Sequence, residues 1–197
     1  MPELYNYQKQ CLADLLGDKH LCVIGTGLGK APISVCWAKQ VCERTEKSKV
    51  LVITTASKRS ANDYLTEAGT WCGRGWRDSL EAYEVISWHG LKKWVDAHWE
   101  TLDEWVYIAD EAAAIKNGVS SQRGRAFLRI AKQTKDWSGY TATPGDTWIQ
   151  FYPYFTACNL VRNKTSFKAR YVSETHYKGY PEIIGYRHED ELMHMWK

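Results

Sequence analysis

Leu21-Cys22-Val23-Ile24-Gly25-Thr26-Gly27-Leu28-Gly29-Lys30-Ala31 is the stretch from which the rest of this chain is read. A short apolar run, a glycine-rich turn and a lysine at the head of a helical pattern predict strand, loop and helix start. The glycines let the backbone pass close to an anion with no Cβ in the way. Free N–H groups at the helix N-terminus then face that anion. Lys30 stands where a P-loop lysine reaches the β- and γ-phosphates of a nucleotide. The next position of such a loop supplies a hydroxyl to Mg²⁺, and here it is Ala31. A glycine turn between strand and helix also arises from packing alone, so the loop needs support from elsewhere in the chain.

On the N-terminal side, Tyr7, Cys11, Leu12, Leu15 and Leu16 fall at helical spacing and predict a helix over 5–16, broken by Gly17-Asp18. On the C-terminal side, a helix over 30–44 carries the stripe Ile33, Cys36, Trp37 and Val41, with Pro32 tolerated in its first turn. Lys49 to Thr54 is too apolar for a half-exposed strand and fits a parallel sheet buried on both faces. The pattern continues as a helix over 58–70, a strand over 82–87 and a helix over 89–98. A strand over 105–109 ends in Asp110-Glu111. A basic amphipathic helix spans 120–133, and a strand over 137–140 ends in Thr141-Ala142-Thr143-Pro144. Asp146 is the expected cap of a helix over 147–157. Strands alternating with helices mean an α/β fold with a mainly parallel sheet flanked by helices. Beyond 160 the periodicity weakens. A basic, aromatic stretch (162–171), a loop or hairpin (173–187) and a final helix (189–197) follow. The chain therefore divides into a domain over 1–160 and a basic, aromatic C-terminal extension over 161–197.

Composition sets the outer limits. The 197 residues suffice for one sizeable core, and 44% hydrophobic with 25% charged residues is ordinary for a globular protein. A net charge of +3 permits nucleic-acid binding without arguing for it. The six cysteines contain no Cys-x-x-Cys pair and several sit on apolar faces, which suits reduced thiols in the cytoplasm. There is no signal-peptide pattern and no apolar run of membrane-spanning length. His188 and His194, beside Glu189, Asp190 and Glu191, do not have the spacing of a metal site and read as a surface helix.

The chemistry gathers at strand ends. Ligands of open α/β sheets bind outside the carboxyl ends of the strands. Asp110 there suits Mg²⁺, directly or through water, and Glu111 suits polarising an attacking water. An acidic pair also suits a helix N-terminus on dipole grounds alone; the P-loop upstream tips the balance to the metal. Thr141 and Thr143 offer hydroxyls that could relay between the phosphate site and a second ligand, although taken alone a turn with proline is the better reading of them.

Taken in order, these elements resemble superfamily 2 DEAD/DEAH-box helicases and translocases, in particular the Snf2-like group and its phage relatives. Leu4-Tyr-Asn-Tyr7-Gln8 resembles the group's opening element, in which the glutamine reads adenine. Gly27-Leu-Gly-Lys30 resembles motif I and Ile53-Thr-Thr-Ala-Ser57 motif Ia. Val85-Ile-Ser-Trp-His89-Gly-Leu91 resembles motif Ib, Asp110-Glu-Ala-Ala-Ala-Ile-Lys-Asn117 the DEAH-box stretch, and Gly139-Tyr-Thr-Ala-Thr-Pro144 motif III. The resemblance covers about residues 4–172. It implies a single RecA-like P-loop domain that binds ATP and Mg²⁺, with Lys30, Asp110 and Glu111 catalytic and Asp110 at the metal. Gln8, Gly25, Thr26, Gly27, Leu28, Gly29, Lys30 and Ala31 would surround the nucleotide. Ser57, Lys58, Ser87 and His89 would meet the backbone of DNA, or of RNA, and Thr141 and Thr143 would couple the two sites. Lys164 and Lys168, flanking Phe167, suit the same partner on composition, since cations interleaved with aromatics favour single strands. Arg123, Arg125 and Arg129 read better as solvated charge.

Two departures matter. Ala31 replaces the motif I hydroxyl, and Ala113 stands where the box often has histidine. In the group a second RecA-like domain carries arginine fingers and closes the cleft, and residues 173–197 hold no counterpart. An arginine finger is worth roughly 10³–10⁵ in rate. This chain alone is therefore expected to bind ATP weakly, to hydrolyse it very slowly if at all, and neither to unwind nor to translocate until a second domain or a partner protein closes the site. An alternative expectation is a complete phage-encoded helicase-like protein without turnover, binding DNA or a host protein as an anti-CRISPR-like inhibitor.

Overall fold

Adjacent residues of Val50-Leu51-Val52-Ile53 serve opposite cores, and this alternation organises the molecule. A computed structural model describes residues 2–17, 20–178 and 180–196. Asp18, half of the expected Gly17-Asp18 break, and Lys197, the expected end of the last helix, lie outside the described residues. Helix α1 (Asn6–Leu16) precedes β1 (Leu21–Val23) and α2 (Lys30–Thr45). Then come β2 (Lys49–Thr54), three short helices, α3 (Ala56–Ser60), α4 (Asp63–Trp71) and α5 (Arg74–Asp78), and β3 (Ala82–Ser87). Helix α6 (Leu91–Ala97) leads to β4 (Trp105–Asp110), and α7 (Gln122–Gln133) to β5 (Trp137–Thr141).

Among the described residues these five strands form one all-parallel sheet in the order β1-β5-β4-β2-β3. Successive side chains of a strand point to opposite faces. Val50, Val52, Val106 and Ile108 accordingly pack with Leu12, Leu15, Ile33, Trp37, Val41 and Tyr64 under α1, α2 and α4. Leu51, Ile53, Trp105 and Tyr107 pack with Leu91, Trp94, Phe127 and Ile130 under α6 and α7. Every residue of β4 is buried, as a central strand covered on both faces requires. Because all strands run the same way, the segments following β1, β2, β4 and β5 emerge at one edge.

The chain continues through α8 (Tyr152–Ala157), α9 (Lys164–Tyr171), the antiparallel hairpin β6 (Val172–Tyr177) and β7 (Tyr180–Tyr186), and α10 (Glu189–Trp196). Tyr152, Phe155, Phe167, Tyr171 and Leu192 form a third cluster here. Tyr154 and Ala157, from the same helix as Tyr152 and Phe155, pack instead into the α7 side of the main core.

Two expected elements differ. The helix over 58–70 is broken at Asn62, whose φ of 56° is left-handed, a conformation asparagine adopts more readily than most residues. Asp146 caps no helix: its N–H donates to Gln150 Oε1 at 2.9 Å, a 3-10 turn covers Trp148–Gln150, and α8 begins later with Pro153 in its first turn. The hairpin over 173–187 is the more ordered of the two forms allowed there.

Candidate functional site

The loop after β1 takes its shape from two left-handed glycines, Gly27 at φ 77° and Gly29 at φ 73°. Lys30 folds back beneath it, donating from Nζ to the carbonyls of Ile24 (3.3 Å) and Gly25 (3.0 Å), and is 7% exposed. Tyr7 and Gln8 on α1 hold the loop's far end. Tyr7 donates its hydroxyl to Leu28 O at 3.0 Å, and Gln8 Nε2 approaches the same oxygen at 3.4 Å. Gln8 Oε1 accepts the Tyr5 N–H at 2.9 Å, so the buried amide fastens α1 to the loop. Gly25, Thr26, Gly27 and Leu28 are exposed. A Cβ on Gly27 would meet nothing within 4 Å, which leaves open space against the loop's backbone. Ala31 presents no oxygen from its side chain. The nearby Ser34 is fully buried one turn further along α2, where its Oγ donates to the Ala31 carbonyl at 2.8 Å.

Across the sheet edge, β4 delivers Asp110 with its side chain fully buried. Oδ2 accepts from Thr54 Oγ1 (2.7 Å) at the end of β2 and from Lys58 Nζ (2.9 Å) on α3. Oδ1 has no hydrogen-bond partner among the described residues. Trp88 Nε1, just past β3, donates to the Asp110 carbonyl at 2.8 Å and fixes the strand's exit. Glu111 follows in a left-handed conformation (φ 52°), a strained geometry of the kind found at functional sites, and its Oε1 lies 3.5 Å from Lys58 Nζ. Burial works against the charge on Lys58. The hydrogen bond to Asp110 and the charges of both acids outweigh it, so the ammonium's pKa lies above its ordinary value.

The third strand end is tied to the other two. The Ile24 N–H donates to Thr141 O at 3.2 Å, and the Thr143 N–H to Thr141 Oγ1 at 3.1 Å. Thr141 is buried and Thr143 exposed. The Tyr154 hydroxyl lies 3.2 Å from Ala112 O and 3.0 Å from Pro144 O, one donor shared between the turn after the acids and the turn after β5. Lys30 at the head of α2, Asp110 and Thr141 at the ends of β4 and β5, and Glu111 in the turn after β4 thus stand at one edge of the sheet. A hard, buried carboxylate oxygen left without a partner, at the same sheet edge as a glycine loop with free space over it, suits Mg²⁺ and a phosphate. The same residues fit the pair with one oxygen fewer than a threonine or serine at position 31 would provide.

The residues expected at a nucleic acid are placed unevenly. Ser57 is exposed on α3, its Oγ 3.1 Å from Thr55 Oγ1. Lys58, next to it, is drawn inward to the acids. Ser87 is half-buried, and His89 is exposed on a cleft of about 260 Å³ shared with Lys92, Ser121 and Arg123. Lys164 lies over the Tyr152 ring at 5.8 Å with Ser120 Oγ at 3.4 Å, and Lys168 pairs with Glu174. Sequence reasoning missed the Thr54, Lys58 and Tyr154 contacts because they depend on strand order. A separate cavity of about 830 Å³ opens beside β1, lined in part by Trp37, Trp137, Phe155 and Trp196, and not by Lys30 or the two acids.

No protein-family model and no curated protein sequence matches the chain. Among solved structures it is similar to the Sulfolobus solfataricus SWI2/SNF2 ATPase core in complex with dsDNA, with a TM-score of 0.67 and 18% identity. The match covers 86% of this chain and 39% of that one, so this chain spans well under half of its neighbour's length. The likeness is one of fold. The five-stranded parallel sheet flanked by helices, with a glycine loop and a buried acid at one edge, has the architecture of a RecA-like domain.

Proposed function

We propose that this chain is the ATP-binding RecA-like domain of a Snf2-like, phage-type superfamily 2 DNA helicase or translocase. The observation that carries the proposal is the buried Asp110, one oxygen unpartnered, at the same sheet edge as the Gly27–Lys30 loop. In this reading the loop's backbone and Lys30 grip the phosphates. Asp110 would hold Mg²⁺, which supplies neutralisation of phosphate charge. Glu111 orients the attacking water, and the Thr141–Thr143 turn links that chemistry to the DNA side. Gln8 serves the base through the loop end it fastens. Ser57, Ser87, His89 and Lys164 meet phosphates of DNA, joined by Lys58 and Lys168 when these leave their acidic partners.

Hydrolysis is slow in this proposal for two reasons. Ala31 withdraws one of the few protein ligands Mg²⁺ has in such sites. The transition state also needs cations from a facing surface, provided by a second RecA-like domain or by a partner protein. The dsDNA-bound neighbour supports DNA as the nucleic acid. Ala31 also favours a second reading, a helicase-like protein without turnover that acts by binding DNA or a host protein. Calorimetric titration of a non-hydrolysable ATP analogue, with and without Mg²⁺, tests the site. Binding is expected for the wild type, stronger Mg²⁺-dependent binding for Ala31→Thr, and loss of the Mg²⁺ dependence for Asp110→Asn. Absence of binding in all three overturns the nucleotide reading. Rapid, DNA-stimulated turnover by the wild type overturns the impairment.

A further inference from the structure

We propose that Lys58 is the internal counter-cation of the metal site: its ammonium neutralises Asp110 and Glu111 in the metal-free protein, and a divalent cation displaces it. The proposal rests on the reading above only in taking Asp110 as the acid on the metal's side. Asp110 is fully buried, and a buried carboxylate without an opposite charge is strongly destabilising. Thr54 supplies a neutral hydrogen bond, and Lys58 is the cation paired with Asp110 among the described residues. It stands 2.9 Å from Asp110 and 3.5 Å from Glu111, so one ammonium serves both acids.

The arrangement also allows release. The Lys58 side chain is 36% exposed, against 0% for Asp110, so its head has a route to solvent that the carboxylate lacks. A lysine is a compact charge on a flexible four-carbon stem and can leave without moving the backbone. Its short helix is anchored at Thr55, whose side chain accepts the Lys58 N–H, so the stem's root stays in place. A metal at the unpartnered Oδ1 and an ammonium at Oδ2 of the same carboxylate repel one another. Each therefore weakens the other, and removing the ammonium must strengthen the metal.

The test is a Mg²⁺ titration in the absence of nucleotide, read by thermal unfolding. In EDTA, Lys58→Met is expected to melt below the wild type. Millimolar Mg²⁺ is expected to restore it, with half-saturation at a Mg²⁺ concentration about tenfold lower than the wild type requires, equivalent to about 1.4 kcal/mol. Lys58→Met/Asp110→Asn, with both charges gone, is expected to melt above the single variant in EDTA and not to respond to Mg²⁺. If Lys58→Met does not fold in EDTA, its refolding yield on addition of Mg²⁺ is compared with that of the double variant and carries the same expectation. Equal melting of Lys58→Met and wild type in EDTA, or equal Mg²⁺ responses, overturns the proposal. No nucleotide enters the assay, so failure of the wild type to bind ATP analogues leaves this result standing. Analogue binding without the altered Mg²⁺ response removes the role of Lys58 alone.

Discussion

Gly29 and Gly27 share a left-handed backbone and differ in what surrounds them, and that difference gives a measurable asymmetry. An alanine at either position incurs the cost of a Cβ in the left-handed region, about 1–2 kcal/mol. At Gly27 the cost ends there, since nothing lies within 4 Å of the new Cβ. At Gly29 the Cβ would lie 2.2 Å from Gln8 Nε2. Gln8 is 3% exposed and must swing away, losing its bonds to Leu28 O and the Tyr5 N–H. Each lost hydrogen bond costs about 0.5–1.5 kcal/mol. Gly29→Ala is therefore expected to cost about 2–5 kcal/mol and Gly27→Ala about 1–2 kcal/mol. Equilibrium urea unfolding measures both. Gln8→Ala supplies the control: once the amide is gone, Gly29→Ala should cost about 1–3 kcal/mol less than it does in the wild type, a coupling that a double-mutant cycle resolves. Strict additivity of Gln8→Ala and Gly29→Ala, or equal costs for the two glycines, would refute the reasoning. Nucleotide binding should rank them in reverse per unit of stability lost, because the Gly27 Cβ enters the open space over the loop.

Three further outcomes are expected. Tyr154→Phe removes the shared donor to Ala112 O and Pro144 O; it should destabilise by about 1–2 kcal/mol in urea unfolding and weaken analogue binding in calorimetry, whereas a change in neither would detach this clasp from the site. Burial pushes the Cys42 thiol up to about 12 from 9.0, so its contribution to stability is intact below pH 9.0 and declines as pH rises towards about 12, by at most about 1.4 kcal/mol per pH unit. Thermal melts across that window should fall less steeply for Cys42→Ala than for the wild type, and parallel curves would contradict the assignment. Phosphate-led DNA binding should weaken steeply with salt, read by fluorescence anisotropy, and Lys168→Ala should weaken it less than Lys164→Ala, because Lys168 must first leave Glu174 to reach a phosphate. Binding that ignores salt would count against the DNA face.

The sequence by itself determined the parts list. Glycines at 25, 27 and 29 before Lys30, an apolar strand ending in Asp110-Glu111, and strands alternating with helices each follow from local chemistry and residue period. They suffice for an α/β domain with a glycine loop and an acidic edge. Where sequence reasoning slipped, the cause was local as well: Asn62 turned left-handed and split a helix whose periodicity ran on either side of it. The tertiary structure decided which parts touch. Strand order placed β2 beside β4, and only that neighbourhood brings Thr54 and Lys58 to Asp110. Nothing in the run Thr54-Thr55-Ala56-Ser57-Lys58 distinguishes a lysine facing outward to phosphate from one turned inward to a buried acid. A parallel sheet pairs segments distant in sequence, so the partner of a buried charge is set by sheet topology. The glycine loop and Ala31 after its lysine were legible in the chain; the cation already paired with the buried Asp110 was not.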